Sequence, residues 1–181
     1  MIKSYFITDP SVCGNTSESL KTSITKIIEK YSPSYICLRA KNSNHYEELA
    51  KTFLSIQTDS KLLLHSHVDL AISLKAYGVH LSSLHFSEIQ RAKEAGLYVI
   101  ASTHSYEEAL DAKEANAITY SPIFNTPNKG KPKGLEDLKE IMGKIRTNIF
   151  ALGGITSNEQ VKQVETCGVY GFASIRYFTN N

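Results

Sequence analysis

The sequence predicts a (β/α)8 barrel, and three observations carry that prediction. Eight short runs are apolar on successive positions and rich in Ile, Val, Leu and aromatic residues, the pattern of parallel strands covered on both faces. Windows with a 3.6-residue period lie between these runs, so strand and helix alternate along the chain. Capping serines and closing glycines stand where such an alternation needs them. The alternative is an open, doubly wound sheet. That fold usually carries a glycine-rich turn after its first strand, and TDPSVCGN (8–15) is not one.

In order, the strand runs are YFIT (5–8), YICL (35–38), KLLLH (61–65), GVHL (78–81), YVIAS (98–102), AITY (117–120), IFAL (149–152) and VYGFAS (169–174). Helical windows are expected over 17–31, 46–56, 68–76, 87–95, 106–114, 135–146 and 158–166. Ser105 precedes Tyr106-Glu107-Glu108 and Ser157 precedes Asn158-Glu159-Gln160, each placing a hydroxyl where it can accept from orphan amides. Gly78, Gly96 and Gly168 are expected to close the windows before them in the left-handed conformation. After the eighth run only IRYFTNN (175–181) remains, a shortened closing helix whose flank is expected to lie open or against a second copy in a homodimer.

A chain of 181 residues supports one core, so residues 1–181 are read as a single barrel domain. Lys and Arg number 20 against 18 Asp and Glu, giving a net charge of +2 with no basic stripe, so no nucleic-acid surface is expected. Cys13, Cys37 and Cys167 form no Cys-x-x-Cys pair and are expected to be reduced thiols of a cytoplasmic protein. No apolar run approaches the ~20 residues of a membrane span, and no membrane partner is expected.

In a barrel the segments that follow the strands gather on one face, where chemistry resides. Here those segments are polar. Arg39 and Lys41 stand two residues apart after the second run, so both can reach one mouth. LGGIT (152–156) and FASIR (172–176) supply Gly153, Gly154 and Ser174 near backbone amides, a phosphate-type arrangement after strands seven and eight. The segment 120–134, YSPIFNTPNKGKPKG, holds three prolines, two glycines and three lysines. Structureless loops beyond about 12 residues tend to be functional, and this one brings Thr126, Asn128 and Lys129. Four histidines collect on the same face: His65, His67, His85 and His104. Their ordinary pKa near 6.5 suits proton transfer, and His67, His85 and His104 could alternatively hold Zn2+. His65 and His67 flank Ser66 at one strand end, so at most one of them is expected to face the mouth. His80 within GVHL is expected to be packed or hydrogen-bonded in the barrel, and Tyr5, Tyr120 and Phe124 to be core or pocket wall.

The ordered segments FITD, CLRAK, VDLA with GVHL, ASTHS, SPIFNTPNKGKPKGL, ALGGIT and GVYGFASI resemble the thiamin phosphate synthase/TenI superfamily over nearly the whole chain. The resemblance implies a (β/α)8 barrel that binds a hydroxyethylthiazole phosphate. In the synthase branch a pyrimidine methyl pyrophosphate loses pyrophosphate with the help of Mg2+, and the thiazole nitrogen captures the cation. In the TenI branch a thiazole carboxylate phosphate tautomer is isomerised by proton transfer. Carried over residue by residue, Arg39 and Lys41 match the pyrophosphate grip, and Ser102 with His104 match the Ser-x-His after strand five. Thr126 and Lys129 match the Thr-x-x-Lys of a substrate lid, and Gly153, Gly154, Ala173 and Ser174 match the thiazole phosphate cradle.

The departures are equally specific. The synthase pattern has Gln where Cys37 stands, and Mg2+-holding carboxylates where this chain has His65-Ser66-His67 and Ser82-Ser83-Leu84-His85. Mg2+ prefers oxygen ligands, so imidazoles are poor substitutes. Asp69 stands nearby, in the first turn of a helix. The TenI branch in turn carries a catalytic His where Pro122 stands. The leading expectation is therefore a TenI-like protein that binds a thiazole phosphate and isomerises its carboxylated tautomer, with His85, His67 or His104 as base. The alternatives are a divergent synthase, with Mg2+ as cofactor and the pyrimidine pyrophosphate as second substrate, and a non-catalytic thiazole phosphate-binding regulator.

Overall fold

The structure is a computed structural model and describes residues 2–41 and 43–180. Eight parallel strands close into a barrel in sequential order: β1 (Lys3–Ile7), β2 (Tyr35–Leu38), β3 (Lys61–His65), β4 (Gly78–Leu81), β5 (Tyr98–Thr103), β6 (Ala117–Tyr120), β7 (Asn148–Leu152) and β8 (Gly171–Ser174). Closure occurs where β1 pairs with β8, Tyr5 lying opposite Ala173 and Phe6 opposite Ser174. The open-sheet alternative is thereby ruled out.

Nine α-helices lie among the described residues: α1 (Pro10–Cys13), α2 (Ser17–Tyr31), α3 (Tyr46–Leu54), α4 (Val68–Ser73), α5 (Ile89–Glu94), α6 (Tyr106–Asp111), α7 (Gly134–Lys144), α8 (Asn158–Glu165) and α9 (Arg176–Thr179). α3, α4, α6 and α7 end two or three residues before the windows expected for them, whereas α2 ends where expected, at Tyr31. The window expected over 87–95 divides into a 3-10 turn, Ser83–Glu88, and α5. Ser105 and Ser157 cap α6 and α8 as expected, accepting from the amides of Glu108 and Gln160.

Gly78 corrects one expectation. It does not close α4, since the left-handed residue there is Lys75, with φ of 52°. Gly78 begins β4 instead, where an added Cβ would sit 2.0 Å from the Tyr98 carbonyl oxygen. Its absent side chain lets β4 and β5 pair closely.

Two apolar layers follow from the period of two along each strand. Outward residues such as Phe6, Ile36, Leu64, Val79, Val99 and Ile118 pack under the helices. Inward residues Tyr5, Ile7, Tyr35, Cys37, Leu63, Ile100, Ala117, Phe150 and Ala173 fill the barrel. The interior is a packed plug, and any ligand must lie above it. The flank expected to lie open is covered by α9, where Phe178, 3% exposed, stacks among Phe6, Tyr31 and Phe172. One helical turn thus packs an aromatic side chain over the closure between β1 and β8.

Candidate active site

Above the plug, at the carboxyl ends of the strands, lies a cavity of about 600 Å³. Arg39, Lys41, Lys129 and Arg176 line it against one carboxylate among the described residues, Asp9. Four fixed cations facing one acid make it a receptacle for anions.

Arg39 and Lys41 follow β2. The Arg39 amide donates to Thr8 Oγ1 at 2.9 Å, and the Thr8 hydroxyl faces the Arg39 carbonyl at 3.3 Å, which locks the ends of β1 and β2 together. Arg39 Nη1 reaches Asp9 Oδ2 at 3.4 Å. Burial pushes the Asp9 carboxyl up, but hydrogen bonds from Ser11 and the Arg39 charge more than reverse this, so it stays below the usual carboxylate range.

The glycine turn and serine that the sequence marks as phosphate-type follow β7 and end β8. Gly153 and Gly154 have φ of 98° and 72°, and an added Cβ at Gly154 would lie 2.6 Å from the Asn125 carbonyl oxygen. Both the backbone conformation and the approach of the long loop therefore require glycine. Gln160 holds this turn, donating to the Gly154 carbonyl at 2.9 Å and accepting from the Thr156 amide at 2.8 Å. Ser174 lines the cavity, but its hydroxyl donates to the Ile155 carbonyl at 2.7 Å and accepts from the Tyr177 amide at 3.1 Å. Its hydroxyl is thus occupied in shaping the turn. Ala173 is fully buried in the barrel plug and lies below the cavity wall.

The loop of residues 121–133 folds over the same side. It enters through a cis Ser121–Pro122 bond and is tied to β7 by Ile123 N to Leu152 O at 2.9 Å and Phe124 N to Gly153 O at 3.0 Å. Thr126 and Lys129 reach the cavity, whereas Asn128 is exposed, with φ of 61°, outside its lining.

The histidines separate. His65 lines the cavity, with burial and then Arg39 and Lys41 pushing its pKa down to about 4. His67 lies outside the wall, stacked on Tyr46 with centroids 4.0 Å apart. His85 is turned to Ser82 Oγ at 2.7 Å and also lies outside. His104 touches the cavity but is exposed and paired with Glu108 at 3.0 Å. Of His65 and His67 only His65 lines the cavity, because β3 ends there and Ser66, with φ of 59°, turns the chain so that His67 packs on Tyr46. Among the described residues no three His, Cys, Asp or Glu side chains could hold a metal ion, so the Zn2+ arrangement of His67, His85 and His104 is not formed. His80 is 2% exposed and held on both ring nitrogens, by Tyr5 Oη at 2.6 Å and Ser102 Oγ at 2.7 Å. Ser102 sits at the cavity edge.

The thiamine monophosphate synthase family model matches residues 4–178 of this chain. The chain belongs to that family. It is 32% identical over 184 residues to a thiamine-phosphate synthase of Clostridium acetobutylicum, covering 96% of this chain and 85% of the relative. A thiamine-phosphate synthase of Pyrococcus horikoshii is 31% identical over 183 residues, with the same coverage. In three dimensions the chain resembles the thiamine phosphate pyrophosphorylase of Pyrococcus furiosus, with a TM-score of 0.78, 30% identity, and 96% and 85% of the two chains covered.

Within this family frame, Mg2+ is the cofactor to test against the donor set. Asp9, the lining carboxylate, is already engaged by Ser11 and Arg39. The ends of β3 and β4 offer imidazoles and hydroxyls, and Asp69 is drawn away into an ion pair with Arg91. These residues do not fit an ion held by protein carboxylates. Arg176 and Asp9 are the charged residues that sequence reasoning missed. Each stands two residues past a strand, so reading charge just beyond every strand end would have found them.

Proposed function

We propose that the protein is a thiamine-phosphate synthase, joining an aminopyrimidine, delivered as its methyl diphosphate, to a thiazole phosphate. The carbon–oxygen bond to diphosphate breaks with the electron pair leaving on oxygen, and the thiazole nitrogen donates its pair to the methylene carbon. One observation carries this reading. A single cavity holds two anion-directed groups, Arg39 with Lys41 on β2 and the Gly153–Gly154 turn on β7. Three strand spacings separate β2 from β7 around the ring, roughly 14 Å, which leaves room for two rings between two phosphorylated ends. An isomerase of one thiazole phosphate needs one such group. The names of the relatives support the same choice.

In this reading Arg39 and Lys41 hold the diphosphate and stabilise the charge that builds as it leaves. The amides of the Gly153–Gly154 turn receive the thiazole phosphate, and Lys129 closes over the anions from the loop. The packed plug excludes water from below, which protects a carbocation from hydrolysis.

The isomerase reading keeps one observation on its side, the absence of carboxylates at the ends of β3 and β4. Against it, His67 and His85 lie outside the cavity and His104 is paired with Glu108. Calorimetry separates the two readings before any turnover. The synthase reading expects inorganic pyrophosphate and the thiazole phosphate to bind together, at separate sites; mutual exclusion would overturn it.

A further inference from the structure

Three side chains form a hydrogen-bonded chain that ends at the cavity, Tyr5, His80 and Ser102, with Cys37 buried at its inner end. Tyr5 and Cys37 are fully buried, and Tyr5 lies beside the Cys37 thiol. Tyr5 Oη meets His80 Nδ1 at 2.6 Å, and His80 Nε2 meets Ser102 Oγ at 2.7 Å. Burial keeps each member neutral: the thiol is pushed up to about 12, the phenol well above its ordinary value, and the imidazole well below its own. Each group therefore has a single hydrogen to give, and the chain must run one way or the other.

In one direction the phenol donates to Nδ1, and Nε2–H to Ser102 Oγ. In the other, Ser102 donates to Nε2, Nδ1–H to the phenol oxygen, and the phenol to sulfur. The second arrangement spends the phenol, a good donor, on sulfur, a weak acceptor, while the first gives it an imidazole nitrogen.

We propose that Tyr5 and His80 are positioning residues that fix Ser102 as a hydrogen-bond donor into the cavity. Because Nε2 already carries the proton, Ser102 cannot give its own to His80, and its hydroxyl hydrogen is left to donate into the cavity that Ser102 lines. The atom it meets is an acceptor, a phosphoryl oxygen or a ring nitrogen. The same polarity prevents Ser102 and His80 from acting as a nucleophile and base, since the base position is protonated.

The inference does not rest on the reaction proposed above, and its test needs no turnover. Long-range proton–nitrogen correlation spectra of the ligand-free protein, labelled with 15N at histidine, report which His80 nitrogen bears hydrogen. Protonated Nε2 with bare Nδ1 is the expected result; protonated Nδ1 overturns the proposal. In calorimetry, Tyr5→Phe and Ser102→Ala should each weaken binding of inorganic pyrophosphate or of the hydroxymethyl aminopyrimidine by about tenfold, the loss of one hydrogen bond. The double variant should lose no more than either single one, because both remove the same donor. Parent-like affinity of both variants for both probes would equally overturn it.

Discussion

Arg39 owes its position to the Thr8 clasp and the Asp9 contact, so its guanidinium is aimed before any ligand arrives. Such preorganisation makes a charge-assisted contact to a phosphoryl oxygen strong. Replacing Arg39 with Ala should lower kcat/KM by at least about 100-fold, near 3 kcal/mol, and Arg39→Lys should recover little because the planar fork is lost. Steady-state kinetics with varied pyrimidine diphosphate checks this. His65 ties the same corner to pH. Its folded pKa lies below that of the unfolded chain, so its stabilising contribution is complete above about pH 6.5 and declines as pH falls toward about 4. The unfolded state binds the proton there and the native state does not. Up to about 3 kcal/mol is lost across that window, and His65→Asn should flatten the urea-midpoint profile in it. His80, shifted in the same direction, leaves a residual slope.

The elements were largely legible in the sequence because parallel strands buried on both faces leave runs that no surface segment imitates. All eight strands lie within a few residues of their expected limits, and the phosphate-type glycines lie where their spacing placed them. Side-chain direction at strand ends was not legible. His67 and His85 belong to the right face but turn to Tyr46 and Ser82, contacts that depend on neighbouring elements far along the chain. The occupied hydroxyl of Ser174 was hidden for the same reason, since its acceptor, Ile155, comes from the loop after β7. The loop and β7 behave as one unit through the Gly154 contact. Gly154→Ala adds a left-handed alanine and a clash with the backbone at Asn125, so it should cost more than about 2 kcal/mol and abolish thiazole phosphate binding. Calorimetry and thermal unfolding together test this, and an unshifted melting curve would contradict it. Phe178→Ala, at the buried face of α9, should cost about 3 kcal/mol by leaving a cavity beside Phe6 and Phe172. Equilibrium unfolding would show it as a lowered denaturant midpoint at constant m-value.

The molecule as a whole separates support from chemistry. Its barrel interior is closed by tyrosines, Phe150 and aliphatic residues, so ligands are confined to the rim and the loops above it. Cations from β2, the long loop and α9 meet over that plug, and a closed ring holds them at fixed separations that no single element could set. What the rim lacks is the acid pair that the resemblance attaches to Mg2+. The charge of a departing diphosphate falls in this account to Arg39, Lys41 and Lys129. The measurement that tests the central claim most directly is product analysis after the purified protein is mixed with the aminopyrimidine methyl diphosphate and the thiazole phosphate, once with Mg2+ and once with a chelator. The account predicts thiamin phosphate and pyrophosphate in equal amounts, with a clear residual rate in chelator. Binding of both substrates without product in either mixture, alongside isomerisation of a thiazole carboxylate phosphate, would contradict it.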